Sequence, residues 1–197
     1  MRNFSLIIAT FLVLISCSKK DEKISDKLSK EVSSYVEAQN KAGKTPNIKE
    51  KFGEDLHGLI LTDKNLSNVD LSGVNLTGAK LSKVNLEKAN IKWANLAGSS
   101  ITDCNLNNVD FEHVIANNSN FDSSTISNAM IKDSNFKYSS FKDSMLNNLN
   151  ISRTFFDETI FDNSEIQRAQ IKSSSLKSTS FSKASITDSI ISDSIFY

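Results

Sequence analysis

Two histidines, two cysteines and an abundance of serine are the side chains from which this 197-residue chain could build nucleophilic, acid–base or metal chemistry. A serine or thiol nucleophile needs a base within hydrogen-bond reach to activate it. A zinc-type centre needs His, Cys or carboxylate ligands at characteristic spacing. His57 and His113 differ in their position within the repeat described below, no serine has a histidine at a matching offset, and no Cys/His/Asp cluster shows metal-ligand spacing. The expectation is therefore no catalytic residue, no metal and no cofactor, with both histidines solvated at the surface. Cys104 occupies a slot otherwise filled by Ala, Val, Ser and Thr, which suits a small buried filler better than a reactive thiol.

Bulk charge offers no partner either. Basic and acidic side chains number 23 each; residues 56 to 197 carry 13 basic and 15 acidic, and residues 18 to 55 carry 9 and 8. Neither part is a polyelectrolyte, so charge-driven binding to nucleic acid or to an acidic substrate is not expected.

The element that must position any functional side chain is a repeat. Every fifth residue from Leu56 to Phe196 is large and apolar at 28 of 29 positions, Ala116 being the exception. Two residues before each centre the chain is mostly small, as at Val69, Ala79, Ala89, Ala94, Cys104, Ser134 and Ala169, and Asn or Asp recurs just before the centre. Period five fits neither an α-helix nor a flat strand. Two inward side chains per five residues suit a chain that turns a corner after each repeat, four sides closing a coil of 20 residues. Stacked coils pair their main-chain groups at about 4.8 Å, which satisfies polar groups that tight winding buries. The repeats then make about seven coils. Residues 20 apart become vertical neighbours, so Phe121, Phe141, Phe161 and Phe181 should form an internal ladder. Ala116 leaves a gap unless Phe121 leans in or Ile115 rotates inward, and the least regular coil is expected there.

The pattern, as in Ala89-Asn90-Ile91 and Ala94-Asn95-Leu96, resembles the pentapeptide-repeat family, whose motif is commonly written A(D/N)LXX. What the resemblance implies is an all-β fold, a right-handed quadrilateral parallel β-helix over residues 56–197.

Ahead of it, Arg2 and the apolar run from Phe4 to Ile15, broken only by Ser5 and Thr10, read as an export signal over residues 1–16. The run is too short for a bilayer that takes about 20 helical residues to cross. Leu14-Ile15-Ser16-Cys17 resembles the lipobox of bacterial lipoproteins. That resemblance implies cleavage before Cys17 and acylation of its sulfur, with more than one acyl chain for stable anchoring. An ordinary signal peptide is the alternative; it needs another small-residue cleavage site, which the sequence offers less clearly. Ser18, in place of the Asp that retains some lipoproteins in an inner membrane, favours the outer membrane or cell surface. Residues 17–22 read as a lipidated tether. Within 23–55, Ile24, Leu28, Val32, Tyr35 and Val36 recur at helical spacing until Gly43 and Pro46. This predicts an amphipathic helix and linker that cover the first coil, a partly disordered spacer being the alternative.

Ile115, Phe155 and Ile195 stand just before a centre, where polar residues otherwise occur, and recur 40 residues apart. They should share a face, with Trp93, His113, Arg153 and Tyr197 on the same side. Such a strip is a candidate contact with an unidentified protein partner, although scattered surface apolar residues are ordinary. The last coil, ending Ser194-Ile195-Phe196-Tyr197, would show open strand edges, which proteins usually cover, so a homodimer through that coil is expected. The chain thus reads as a non-enzymatic, lipid-anchored scaffold or protein-binding module. The rival that the family resemblance brings, a DNA-mimic binder of type II topoisomerase, fits poorly with a near-neutral rod and an export signal.

Overall fold

A computed structural model describes residues 26–197. The export stretch 1–16, the lipobox with Cys17, the tether over 17–22 and Ile24 lie outside the described residues.

The five-residue period winds the chain into a four-sided parallel β-solenoid of about seven turns. Its strands are three residues long: β1 (Ile60–Thr62), β2 (Lys80–Ser82), β3 (Ser100–Thr102), β4 (Asp110–Glu112), β5 (Met130–Lys132), β6 (Asn150–Ser152), β7 (Glu165–Gln167), β8 (Gln170–Lys172), β9 (Ser185–Thr187) and β10 (Ile190–Ser192). They stack as β1-β2-β3, β4-β5-β6-β8-β10 and β7-β9, every pair parallel. Partners are always 20 residues apart, as in Leu61 with Leu81 and Phe111 with Ile131. Isolated bridges such as Asn65 with Asn85 and Asn95 with Ile115 extend the same register along the other faces. After each centre the chain bends through one residue in the left-handed region, with φ between 50° and 63° at the non-glycine corners. None of those corners is Val, Ile or Thr, the side chains that such a backbone tolerates least.

Inside, the Phe121, Phe141, Phe161 and Phe181 rings lie 4.9, 5.0 and 5.2 Å apart and within 8° of parallel. A second stack, Phe136 on Phe156 at 5.4 Å, runs along a neighbouring face. These separations fall in the favourable range for offset aromatic pairs.

The coil at Ala116 corrects the expected irregularity. Its main-chain ladder is unbroken, with Ala116 N–H donating to Asn135 O at 2.8 Å and Leu96 N–H to Ile115 O at 2.6 Å. Ile115 stays outward, about half exposed. Phe111 and Phe121, the centres on either side of Ala116, meet across the tube at 6.3 Å, and Phe136 packs on both at 5.7 and 5.8 Å. Aromatic bulk from opposite faces fills what alanine leaves.

The small slots carry a second ladder. Where the slot is serine, its hydroxyl can accept the slot N–H of the coil before and donate to that coil's centre carbonyl. Ser134 Oγ accepts from Val114 N–H at 2.9 Å and donates to Phe111 O at 2.5 Å. Ser139 and Ser144 repeat the arrangement with Ser119 and Ala116, and with Ser124 and Phe121. Cys104 joins this series, its sulfur accepting from Val84 N–H at 3.4 Å, and burial pushes its thiol up to about 11. Ser99 Oγ, by contrast, is buried without a hydrogen-bond partner.

The first coil is covered. Helix α1, over residues 26–41, buries Val32 and Val36 against the solenoid core and packs Leu28 on it. A further short helix, α2 (Ile48–Phe52), lies within what the sequence suggested was a linker. Asn47 caps it by accepting the Glu50 N–H at 3.2 Å, so the Asn47-x-x-Glu50 spacing was its signal. Main-chain groups on the first coil's open edge find side-chain partners: Ile60 N–H donates to Ser29 Oγ at 2.8 Å, Asn65 O accepts from Asn40 Nδ2 at 2.9 Å, and Ser72 O accepts from Lys49 Nζ at 2.8 Å. Among the described residues nothing comparable covers the last coil, where Ile186, Ile190, Ile191 and Phe196 are exposed.

Two stability measurements test this packing. Phe141→Ala should cost about 3–5 kcal/mol in chemical denaturation, because the rings stacked on either side keep a cavity open. Ser134→Ala leaves the buried Val114 N–H without its acceptor and should cost about 1–3 kcal/mol, whereas Ser99→Ala removes an unpaired hydroxyl and should be neutral or stabilising. Equal losses at the two serines would contradict the hydroxyl ladder.

Candidate functional site

Outward side chains inherit the same vertical order. The corner residues Trp93, His113, Asp133 and Arg153 fall one per coil in a single column, each with positive φ. Trp93 lies stacked on His113, ring centroids 3.8 Å apart and 16° from parallel. Arg153 closes the column with two hydrogen bonds to Asp133, at 2.6 and 2.8 Å, a paired geometry that fixes both groups.

The next outward column holds Asn75, Asn95, Ile115, Asn135, Phe155, Ser175 and Ile195, bridged in that order. The three apolar members therefore stand two coils apart, each close to half exposed. Lys137 Nζ lies 4.9 Å from the centroid of Phe155, and Lys177 Nζ lies 4.7 Å from that of Tyr197. These are favourable cation–π positions. The structure thus places all seven sequence-selected residues on adjoining columns of one side. Trp93 and Tyr197 mark the ends of a strip of roughly 24 Å, taking about 4.8 Å per coil. Asp157, paired with Lys137 at 2.9 Å, is held below the usual carboxylate range by hydrogen bonds from Ser175, Lys137 and the Lys177 main chain, against an opposing effect of burial.

Beside the corner column runs an ion-pair ladder. Lys92 reaches Asp110 at 2.9 Å and Glu112 at 3.1 Å, and Lys132 reaches Glu112 at 2.7 Å. Hydrogen bonds from Lys132 and then Lys92 hold the Glu112 carboxyl down at about 2. Asp133 is likewise lowered, chiefly by Arg153.

The sequence reading missed one grouping here. Glu112, His113 and Asp133 each offer a ligand atom within 4.8 Å of the others. Ligand spacing sought along the chain does not register it: the relevant spacing is the coil, and Asp133 is His113 plus 20. His57 makes only a local pair with Asp55, Nδ1 to Oδ1 3.0 Å, and stands on a different column. A groove beside α1 is lined by Lys30, Glu31, Ser34, Tyr35, Lys51 and Phe52.

Residues 55–87, 65–103, 89–128 and 104–143 match the family model described as pentapeptide repeats, which finds 8 copies. No curated protein matches the sequence. Among solved structures, the chain is similar to HetL, a pentapeptide repeat protein involved in heterocyst differentiation regulation from the cyanobacterium Nostoc sp. strain PCC 7120. Identity is 13%, coverage 72% of this chain and 80% of that one, and the TM-score 0.44. It is also similar to QnrB1, a plasmid-mediated fluoroquinolone resistance protein, at 15% identity over 68% of this chain and 83% of that one, TM-score 0.40. A pentapeptide repeat protein of the Arabidopsis thaliana thylakoid lumen aligns at 21% identity over 49% of this chain and 64% of its own, TM-score 0.37.

The lowered carboxyl of Glu112 sets a pH dependence with a definite sign. Its folded value lies below the ordinary 4.5, so its contribution is complete above that ordinary value and lost as pH falls through the folded one. The stability difference between the native chain and Glu112→Gln should therefore be present at neutral pH and close as pH drops through about 2. Urea melts across that range check it; a gap that persists at the acid end would mean that Glu112 acts through packing instead.

Proposed function

We propose that this chain, whose residues 55–143 match the pentapeptide-repeat model, is a non-enzymatic scaffold or protein-binding module, tethered by lipid on Cys17 to an outer membrane or cell surface. Members of the family are generally structural or binding proteins. The observation that carries the binding reading is the column in which Ile115, Phe155 and Ile195 alternate with Asn135 and Ser175. Polar residues fit that column without disturbing the register, so the fold does not demand apolar ones there. An exposed apolar strip on a rigid support suits docking of a partner protein. Trp93 at one end, Tyr197 at the other, and Lys137 and Arg153 beside Phe155 supply the aromatic and cationic groups that interfaces favour. The anchor rests on the lipobox Leu14-Ile15-Ser16-Cys17 behind an apolar export stretch. The same reading pairs two solenoids through the last coil, where apolar side chains of β9, β10 and the residues after them meet solvent.

Four measurements test it. Labelling cells with a radioactive fatty acid should mark the protein and fail with Cys17→Ala. Cross-linked capture from the outer membrane should return one defined protein with the native chain and lose it with Phe155→Ser, while inhibition of gyrase supercoiling would instead favour the DNA-mimic rival. Sedimentation in detergent should give a dimer that Ile190→Asp converts to monomer; monomeric native protein at micromolar concentration would remove the pairing from the reading.

A further inference from the structure

We propose that Glu112, His113 and Asp133 form a surface site for a divalent transition metal ion of the zinc class. Among the described residues this is the group of three metal-ligating side chains whose donor atoms converge, all within 4.8 Å of one another. His113 Nε2 lies 3.9 Å from Glu112 Oε1. A tetrahedral ion with bonds of about 2.1 Å needs its ligand atoms about 3.4 Å apart, so small side-chain rotations complete the site. Imidazole nitrogen and carboxylate oxygen are both ligand types that such an ion takes, and three protein ligands leave the fourth position to a water. Imidazole selects against magnesium and calcium, which prefer all-oxygen shells.

The fold supplies the pre-organisation. Glu112 and His113 are consecutive at one corner, and Asp133 stands on the same column one coil above His113. Trp93, one coil below, stacks flat on the imidazole and restricts its rotation. None of the three is fully exposed: their side chains retain 19% (Glu112), 32% (His113) and 26% (Asp133) of their accessible surface. Lys132 and Lys92 now hold Glu112, and Arg153 holds Asp133. They are competitors that a bound ion must displace, and their long side chains can swing into water when it does. A divalent ion replaces them with shorter bonds to the same carboxylates. The site borders the apolar column and shares Trp93, His113 and Arg153 with the proposed partner side, but metal affinity is measured without any partner and does not depend on that reading.

The test uses Trp93 as reporter, since it is the chain's sole tryptophan and touches the proposed ligand. The full chain is titrated with Cu2+, which binds such donor sets more tightly than the other first-row divalent ions, while tryptophan fluorescence is followed. Saturable quenching that a large excess of Zn2+ reverses is expected. Loss of an outer-shell partner alone costs roughly 10–100-fold in metal affinity, so His113→Gln and Asp133→Asn should each weaken binding at least tenfold by that measure. Arg153→Ala, which frees Asp133, should tighten it, a result that a purely structural role for the column does not give. His57→Gln, on a different column, should leave the affinity unchanged. Quenching without saturation, an affinity that survives His113→Gln, one lost with His57→Gln, or one that Arg153→Ala fails to raise would overturn the proposal.

Discussion

The whole molecule hangs on main-chain hydrogen bonds between coils 20 residues apart. Leu66 N–H donates to Asn85 O and Asn85 N–H to Lys64 O, and the same two-way exchange recurs from coil to coil along the solenoid. Each coil is therefore both donor and acceptor to its neighbours, and no coil is satisfied alone. That accounting leaves two open edges, which is why the N-terminal cap matters as much as the core. Ser29, Asn40 and Lys49 give Ile60, Asn65 and Ser72 the partners that a preceding coil would otherwise provide, while Val32, Val36 and Ile48 cover the apolar cross-section.

Within the tube, two materials solve the same problem differently. The early coils fill the small slots with Val and Ala, and their slot N–H groups turn back to the centre three residues earlier, as Val69 does to Leu66 O. Later coils mostly put hydroxyls there: some slot N–H groups, as at Val114 and Thr154, then bond a hydroxyl one coil on, while others, as at Ser139 and Thr159, still turn back to their own centres. The exchange coincides with the change from leucine to phenylalanine at the centres. Wider rings leave less need for bulk in the slots, so a small hydroxyl that also satisfies main-chain groups fits without a void. Ser99, at the switch between the two regimes, has a hydroxyl but no partner for it.

Much of this was legible in the residues. Periodicity carried the coil, the 20-residue register and the phenylalanine ladder, because an inward side chain must be apolar and sized to its layer. It also put Trp93, His113, Ile115, Arg153, Phe155, Ile195 and Tyr197 on one side, since column membership is arithmetic. Three things escaped. The regularity at Ala116 depends on rings from opposite faces meeting across the tube, which a column-by-column reading cannot see. Helix α2 is too short for periodicity to register, and only its cap spacing betrayed it. The approach of Glu112, His113 and Asp133 was hidden by seeking ligand spacing along the chain, where metal motifs are usually read, and not across coils.

Outward positions obey a weaker rule than inward ones, and that difference is what allows function to be argued from them. An inward Phe141 is required by the space between Phe121 and Phe161. Nothing comparable requires Phe155: Asn135 and Ser175 hold the same register in the same column with side chains that water solvates well. Half-exposed apolar groups gain only part of the burial that rewards a core residue, and as a recurring strip they invite unwanted association. Their recurrence every second coil, with lysine poised over one ring, is therefore a property of the surface and not a by-product of the winding. A solenoid that converts sequence spacing into fixed vertical spacing makes such a surface rigid, so a partner that matches it has little ordering left to pay for.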